Sequence, residues 1–162
     1  MPTPSYILDI RRSYGQGRLL LPGVSAVVVR DDLEPGNSHI LLLRRSDTGR
    51  WSLPAGIVEP DEQPATTIVR ELFEETRVKA RADRLALLTT DPELTYPNGD
   101  RCQYISMTFR CSYLAGKAQV GDEESIEVTW FRTDQLPDEL PALLRRRIDT
   151  ALADREACVF DS

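Results

Sequence analysis

The sequence predicts an α/β fold in which a mixed β-sheet lies between helices. Three observations predict it. The runs VSAVVVR (24–30) and HILLLRR (39–45) read as buried strands, rich in β-branched and long aliphatic residues. A helical stretch interrupts the strands near residue 63, and a second closes the pattern near residue 141. The resulting order of strand, strand, helix, several strands and helix is not a dinucleotide-binding βαβ repeat. Gly15-Gln16-Gly17 is too short for the glycine fingerprint, and no Walker A pattern is present.

The elements follow in order. Residues 1–17 are polar and end in Gly15-Gln16-Gly17, read as a flexible joint. Strand 24–30 is followed by a polar turn at 31–38 and the return strand 39–45. A turn at 46–49 leads to a short extended piece at 51–54, because Pro54 restricts Leu53 to extended backbone. The helix starts near Gln63 with Pro64 in its first turn, and runs to Thr76 or Arg77. Asp61 and Glu62 stand where the helix dipole favours negative charge. Residues 84–90 read as a strand, and 91–100 as a long loop with Pro92, Pro97 and the turn dipeptide Asn98-Gly99. A long strand at 101–114, an acidic loop at 116–124 and a last strand at 126–131 follow. A short turn at 134–137 precedes an amphipathic helix at 141–153, whose Arg145-Arg146-Arg147 run reads as a solvated face.

Composition narrows the function. The 162 residues, 41% hydrophobic and 28% charged, suit one domain over 1–162 with a real core. A net charge of −6 argues against a stable nucleic-acid complex or an anionic membrane surface, since both need clustered positive charge. Cys102, Cys111 and Cys158 are odd in number and lack C-x-x-C spacing, against a disulfide framework or a structural zinc. The first apolar run is split by Pro22-Gly23, and no run approaches the roughly 18 residues of a membrane span, so the expected location is the cytoplasm. His39 is the only histidine and is expected to be structural or at the surface, which leaves little case for a zinc hydrolase. No serine sits in a G-x-S-x-G elbow.

The chemistry concentrates in GIVEPDEQPATTIVRELFEETRV, residues 56–78. Glu71, Glu74 and Glu75 fall on one face of the helix, with Ala65, Val69, Leu72 and Thr76 on roughly the opposite face. Such a pattern suits a solvated acidic surface or a hard cation held by oxygen donors, and alone it favours the former. The residues before the helix reverse that preference. Gly56, Glu62, Arg70, Glu71, Leu72, Glu74, Glu75 and Val78 match the spacing G-x5-E-x7-R-E-U-x-E-E-x-G-U and resemble the Nudix box. The lead-in Trp51 to Gly56, with Ala55 where a second glycine is common, the preceding hairpin and the later EVTWF extend the resemblance over most of the chain. Arg77 departs from it, standing where the family ends its helix with glycine. If left-handed backbone is kept there, arginine costs about 1 kcal/mol, so Arg77→Gly is expected to leave turnover nearly unchanged.

The resemblance implies a Nudix-type α/β/α sandwich and hydrolysis of a nucleoside diphosphate linked to another group X. It implies Mg²⁺, with Mn²⁺ as the alternative, held by Glu71, Glu74, Glu75 and the carbonyl of Gly56. Glu62 and Arg70 would form a supporting pair, and Glu74 or Glu124 would take the proton from water. Candidate substrate contacts are Arg44 or Arg45, only one of which can face the site, with Trp51 and Tyr96. The segment Tyr6 to Gly15 together with residues 96–100 is similar to a broad bacterial Nudix group. The implied partner is a small nucleotide derivative, and homodimers are common in the family. The competing readings are a non-catalytic nucleotide-sensing Nudix module and an isomerase of allylic diphosphates. The isomerase would need a placed cysteine such as Cys102 or Cys111.

Overall fold

The computed structural model describes residues 4–161. Strand β1 (Leu19–Glu34) is the axis of one mixed sheet and passes through Pro22-Gly23 without a break. It exchanges antiparallel partners along its length, from β4 (Ala55–Ile57) at Val24↔Gly56 to β2 (Asn37–Arg45) at Val29↔Ile40. Its other edge runs parallel to β7 (Arg101–Ala115), with Gly23 opposite Ser106. Beyond β7 lie β5 (Lys79–Thr90) and then β9 (Val159–Phe160). On the far side, β2 pairs with β3 (Trp51–Ser52) and β8 (Ser125–Arg132).

Alternation along β1 sends side chains to two cores. Val24, Ala26 and Val28 meet Ile68 and Leu72 of α2 (Pro64–Thr76), while Val27 and Val29 meet Leu144 and Ile148 of α3 (Ala142–Leu152). Truncating fully buried Leu72 to alanine would cost about 2–5 kcal/mol. Helices on opposite faces of one sheet make the expected three-layer α/β arrangement.

Four sequence expectations are corrected. Residues 1–3 lie outside the described residues, but Ser5–Tyr14 form a helix, α1, rather than a polar lead to a flexible joint. Ten residues with this charge are too short to be helical alone. Tertiary contacts hold them: Ile7 is buried with Leu21 and Cys102, and Arg11 donates to the carbonyls of Gly15 and Arg101. β5 begins at Lys79, not 84, because its first half alternates exposed Lys79, Arg81 and Asp83 with the small Ala80 and Ala82. β9 and β6 (Leu94–Thr95) are two residues each, too short to leave a periodic signal. Finally, α2 does not turn its carboxylates away from its packed side. Ala65 is exposed, and the buried face comprises Thr67, Ile68, Glu71, Leu72, Glu75 and Thr76.

Candidate active site

Burying Glu71 and Glu75 is the fact on which the site turns. Glu71 is fully buried, and neither carboxylate oxygen has a hydrogen-bond partner among the described residues. Its one counter-charge is Arg70, whose Nη1 lies 3.1 Å from Oε1 without hydrogen-bond alignment. Burial raises the Glu71 carboxyl to about 7, with Arg70 opposing that rise. Glu75 is buried too and accepts the backbone N–H of Ala55 at 3.1 Å. Burial raises it to about 8 against that hydrogen bond.

Gly56 faces Glu71. A Cβ added there would lie 2.3 Å from Glu71 Cδ and 2.4 Å from Oε1, so only glycine admits the carboxylate. Glu62 and Arg70 brace the entry to the helix. Arg70 Nε and Nη2 each donate to Glu62 at 2.9 Å, and Thr67 Oγ1 donates to it at 2.8 Å. These bonds, led by those from Arg70, hold the Glu62 carboxyl down at about 2. Glu74 stays 44% exposed and accepts from Arg70 Nη1 at 3.2 Å.

The three helix carboxylates therefore do not converge in this conformation. Among the described residues no three His, Cys, Asp or Glu side chains gather as a ready-made cation cage. The donor set nevertheless fits a hard divalent ion. A buried carboxylate without hydrogen bonds costs several kcal/mol unless it is protonated or neutralised, and carboxylate and carbonyl oxygens are what Mg²⁺ and Mn²⁺ take. Glu71 and the carbonyl of Gly56 in β4 supply both kinds of donor.

A cavity of about 650 Å³ runs from this turn across the α3 side of the sheet. Gly56, Arg45 and Glu124 line it, with Tyr96, Tyr104 and Arg147. Tyr96 and Tyr104 share a hydroxyl–hydroxyl bond of 2.7 Å. The NUDIX domain family model matches residues 19–152.

The chain belongs to the Nudix family. It is 33% identical over 129 residues to a MutT-like protein of Streptomyces ambofaciens, covering 80% of this chain and 75% of that one. Over 138 residues it is 31% identical to the NAD-capped RNA hydrolase NudC of Edwardsiella ictaluri, covering 83% of this chain and 48% of that one. Its fold matches the MutT protein of Methanosarcina mazei with a TM-score of 0.64 at 25% identity, over 83% of this chain and 94% of that one. The chain thus spans three quarters of the first relative and about half of the NudC protein. Family members are hydrolases of nucleotide pyrophosphate compounds.

The Nudix frame locates the remaining candidates. Arg45 reaches the cavity and is held by Asp47 at 2.7 and 2.9 Å, whereas Arg44 turns to the carbonyl of Gly49 and to Glu127. Trp51 packs its ring edge-on against Phe131 at 4.9 Å beside the α3-side core and is not among the cavity residues. Tyr96 lines the cavity. Cys102 does too, beneath Arg11, while Cys111 is sealed in the α2-side core with its thiol pushed up to about 12 by burial. His39 is buried within β2.

The acidic loop does more than carry Glu124. Its Gln119 and Gly121 N–H groups cap the carbonyls of Thr76 and Glu75 at 3.1 and 2.9 Å. Arg77 keeps the left-handed conformation, φ 60° and ψ 12°, and donates to the carbonyl of Gly121. This docking brings Asp122 close enough to add to the rise of Glu75. Asp122 was not singled out in the sequence; its only signal was membership of the acidic run. Asp91 and Arg147 were missed as well. Arg147 is not on a solvated face but 15% exposed, donating to both oxygens of Asp91 at 2.6 and 2.8 Å.

Proposed function

We propose that this Nudix chain hydrolyses a pyrophosphate bond in a nucleoside diphosphate linked to a group X, with water as nucleophile. X covers nucleotide sugars, ADP-ribose, dinucleoside polyphosphates and modified nucleoside triphosphates. The observation that supports this best is the buried Glu71, whose oxygens accept no hydrogen bond from a described residue, against Gly56, which cannot carry a side chain and lines a cavity large enough for a nucleotide. Glu71, Glu74, Glu75 and the Gly56 carbonyl would hold Mg²⁺, or Mn²⁺ in its place. When bound, the ion supplies charge neutralisation of the diphosphate and activation of water.

The chain's own residues do the rest. Arg70 and Glu62 hold the start of α2 against the loop, which keeps Glu71 facing Gly56. Glu74, half open to solvent, and Glu124, on the cavity wall, are the two acceptors for the proton of the attacking water. Arg45, partly neutralised by Asp47, is the cation on the same wall that would meet a phosphate oxygen. The helix α1, outside the family-matched span, forms part of the cavity wall through Ile7 and Arg11, so the chain acts as one unit.

The test is turnover with Mg²⁺ on ADP-ribose, NADH, diadenosine polyphosphates, nucleotide sugars and oxidised deoxynucleoside triphosphates. Glu74→Gln and Glu75→Gln are each expected to lower the rate at least ~100-fold. Unchanged rates in both variants would sink the mechanism. Nucleotide binding without hydrolysis of any compound would favour a sensing module instead.

A further inference from the structure

Asp91, at the end of β5, is one of the most heavily bonded carboxylates in the protein. Arg147 from α3 donates one nitrogen to both its oxygens, Ser106 Oγ donates at 2.6 Å, and Thr89 Oγ1 at 3.3 Å. Asp91, Ser106 and Arg147 all line the cavity that contains Gly56. They stand toward its other end: at roughly 4.8 Å per strand, Ser106 on β7 is two strand spacings from β4, about 10 Å, and Asp91 at the end of β5 is three, about 14 Å. A diphosphate seated at Gly56 is too short to reach them.

Arg147 is not used up by this pair. Only Nη2 is engaged; Nε is buried with no partner, and Nη1 makes no hydrogen bond to any described residue. Nη1 carries two N–H donors on a residue of the cavity wall, suited to oxygen or ring-nitrogen acceptors, while Nε sits beside the Nη2 that Asp91 holds. The charge of Arg147 is already answered by Asp91, so a further phosphate there would meet the carboxylate as well as the cation. The ligand group that fits is uncharged and rich in acceptors. The neighbouring walls, Tyr96, Tyr104 and Leu21, are flat or apolar and suit a ring.

We propose that Arg147, with Ser106 and the Tyr96–Tyr104 pair, forms a recognition subsite for an uncharged heterocyclic base of the substrate, and that Arg147 is a specificity-determining residue. The subsite extends the hydrolase reading given above, which places the diphosphate at Gly56. Asp91 is the positioning residue that holds the guanidinium edge in place.

The test reads binding rather than turnover, so it does not pass through the Glu71 and Glu75 donors. Affinities of AMP, GMP, UMP, CMP and ribose 5-phosphate are measured by calorimetry with a chelator present. At least one nucleotide is expected to bind about tenfold more tightly than ribose 5-phosphate, the worth of one or two hydrogen bonds. Arg147→Lys keeps a cation against Asp91 but removes the two Nη1 donors, and is expected to erase that preference while leaving ribose 5-phosphate unchanged. The double variant Asp91→Asn with Arg147→Met removes both charges together and should do the same without a buried unpaired ion. The subsite is overturned if no nucleotide binds more tightly than ribose 5-phosphate, or if Arg147→Lys keeps the preference. Loss of the preference alongside Mg²⁺-dependent turnover that survives Glu75→Gln would instead fault the hydrolase mechanism and leave the subsite standing.

Discussion

Asp91 lines the cavity and Glu71 lies behind its Gly56 wall, and the two carboxylates have opposite surroundings. Asp91 receives hydrogen bonds from Arg147, Ser106 and Thr89, while Glu71 receives none. Both are sheltered from water, Glu71 completely and Asp91 to 16% side-chain exposure. A saturated carboxylate at low exposure contributes to the fold and has no capacity left for a ligand. An unsaturated one destabilises the fold by itself and is retained where something positive is to be bound. The contrast separates a structural acid from a functional one without reference to their residue type.

Exchanging charge for neutral polarity at the two carboxylates should break the comparison in opposite directions. Glu71→Gln is expected to lower turnover at least ~100-fold and yet to stabilise the metal-free protein above about pH 7, where the native carboxylate is ionised and buried without a hydrogen bond from any described residue. Steady-state rates and thermal melting with a chelator check the two halves; a destabilised Glu71→Gln would refute the reading of Glu71. Asp91→Ala should do the converse. It strands the Arg147 guanidinium at 15% exposure and should cost about 2–3 kcal/mol of stability by denaturant unfolding, somewhat less than for a fully buried pair.

The pH dependence follows from the same contrast. The folded protein holds Glu71 near 7 and Glu75 near 8, both raised above the ordinary 4.5 by burial. A raised carboxyl adds stability below its unfolded pKa and loses it as pH climbs to the folded value. Metal-free melting temperature should therefore fall between about pH 5 and pH 8. At the proposed metal site Mg²⁺ would bind the ionised form, so any stabilisation it confers should be larger near pH 8.5 than near pH 6. An equal shift at both would argue that the ion binds elsewhere.

The smallest effect is expected at Arg77. Its left-handed backbone costs about 1 kcal/mol, and its bond to Gly121 returns about as much. Arg77→Gly should change stability by less than about 1 kcal/mol and turnover by less than about fivefold. A larger loss of turnover, restored by Arg77→Lys, would mean that the Arg77–Gly121 contact holds Asp122 and Glu124 in place for the reaction.

What was legible in the sequence was local. The spacing from Gly56 through Glu62 to Arg70 and Glu75 identified the family, because one helix and the segment before it fix those relationships within 20 residues. Alternation implied that only one of Arg44 and Arg45 could face the site, and Arg45 is the one that lines the cavity. Alternation could not say which, since that depends on where α1 and the 91–100 loop close the cavity.

The amino-acid sequence by itself determined the longer strands, the helices α2 and α3 and the carboxylates of the box, all of which are written in periods of two and 3.6 residues. Only the tertiary structure decided which of those carboxylates are buried, that Ser5–Tyr14 folds as a helix, and that Arg147 turns inward. Those outcomes depend on partners 56 residues apart for Asp91 and Arg147, and 90 apart for Arg11 and Arg101. A short periodic pattern carries no record of such partners, because burial and ion pairing are set by what the rest of the chain brings alongside.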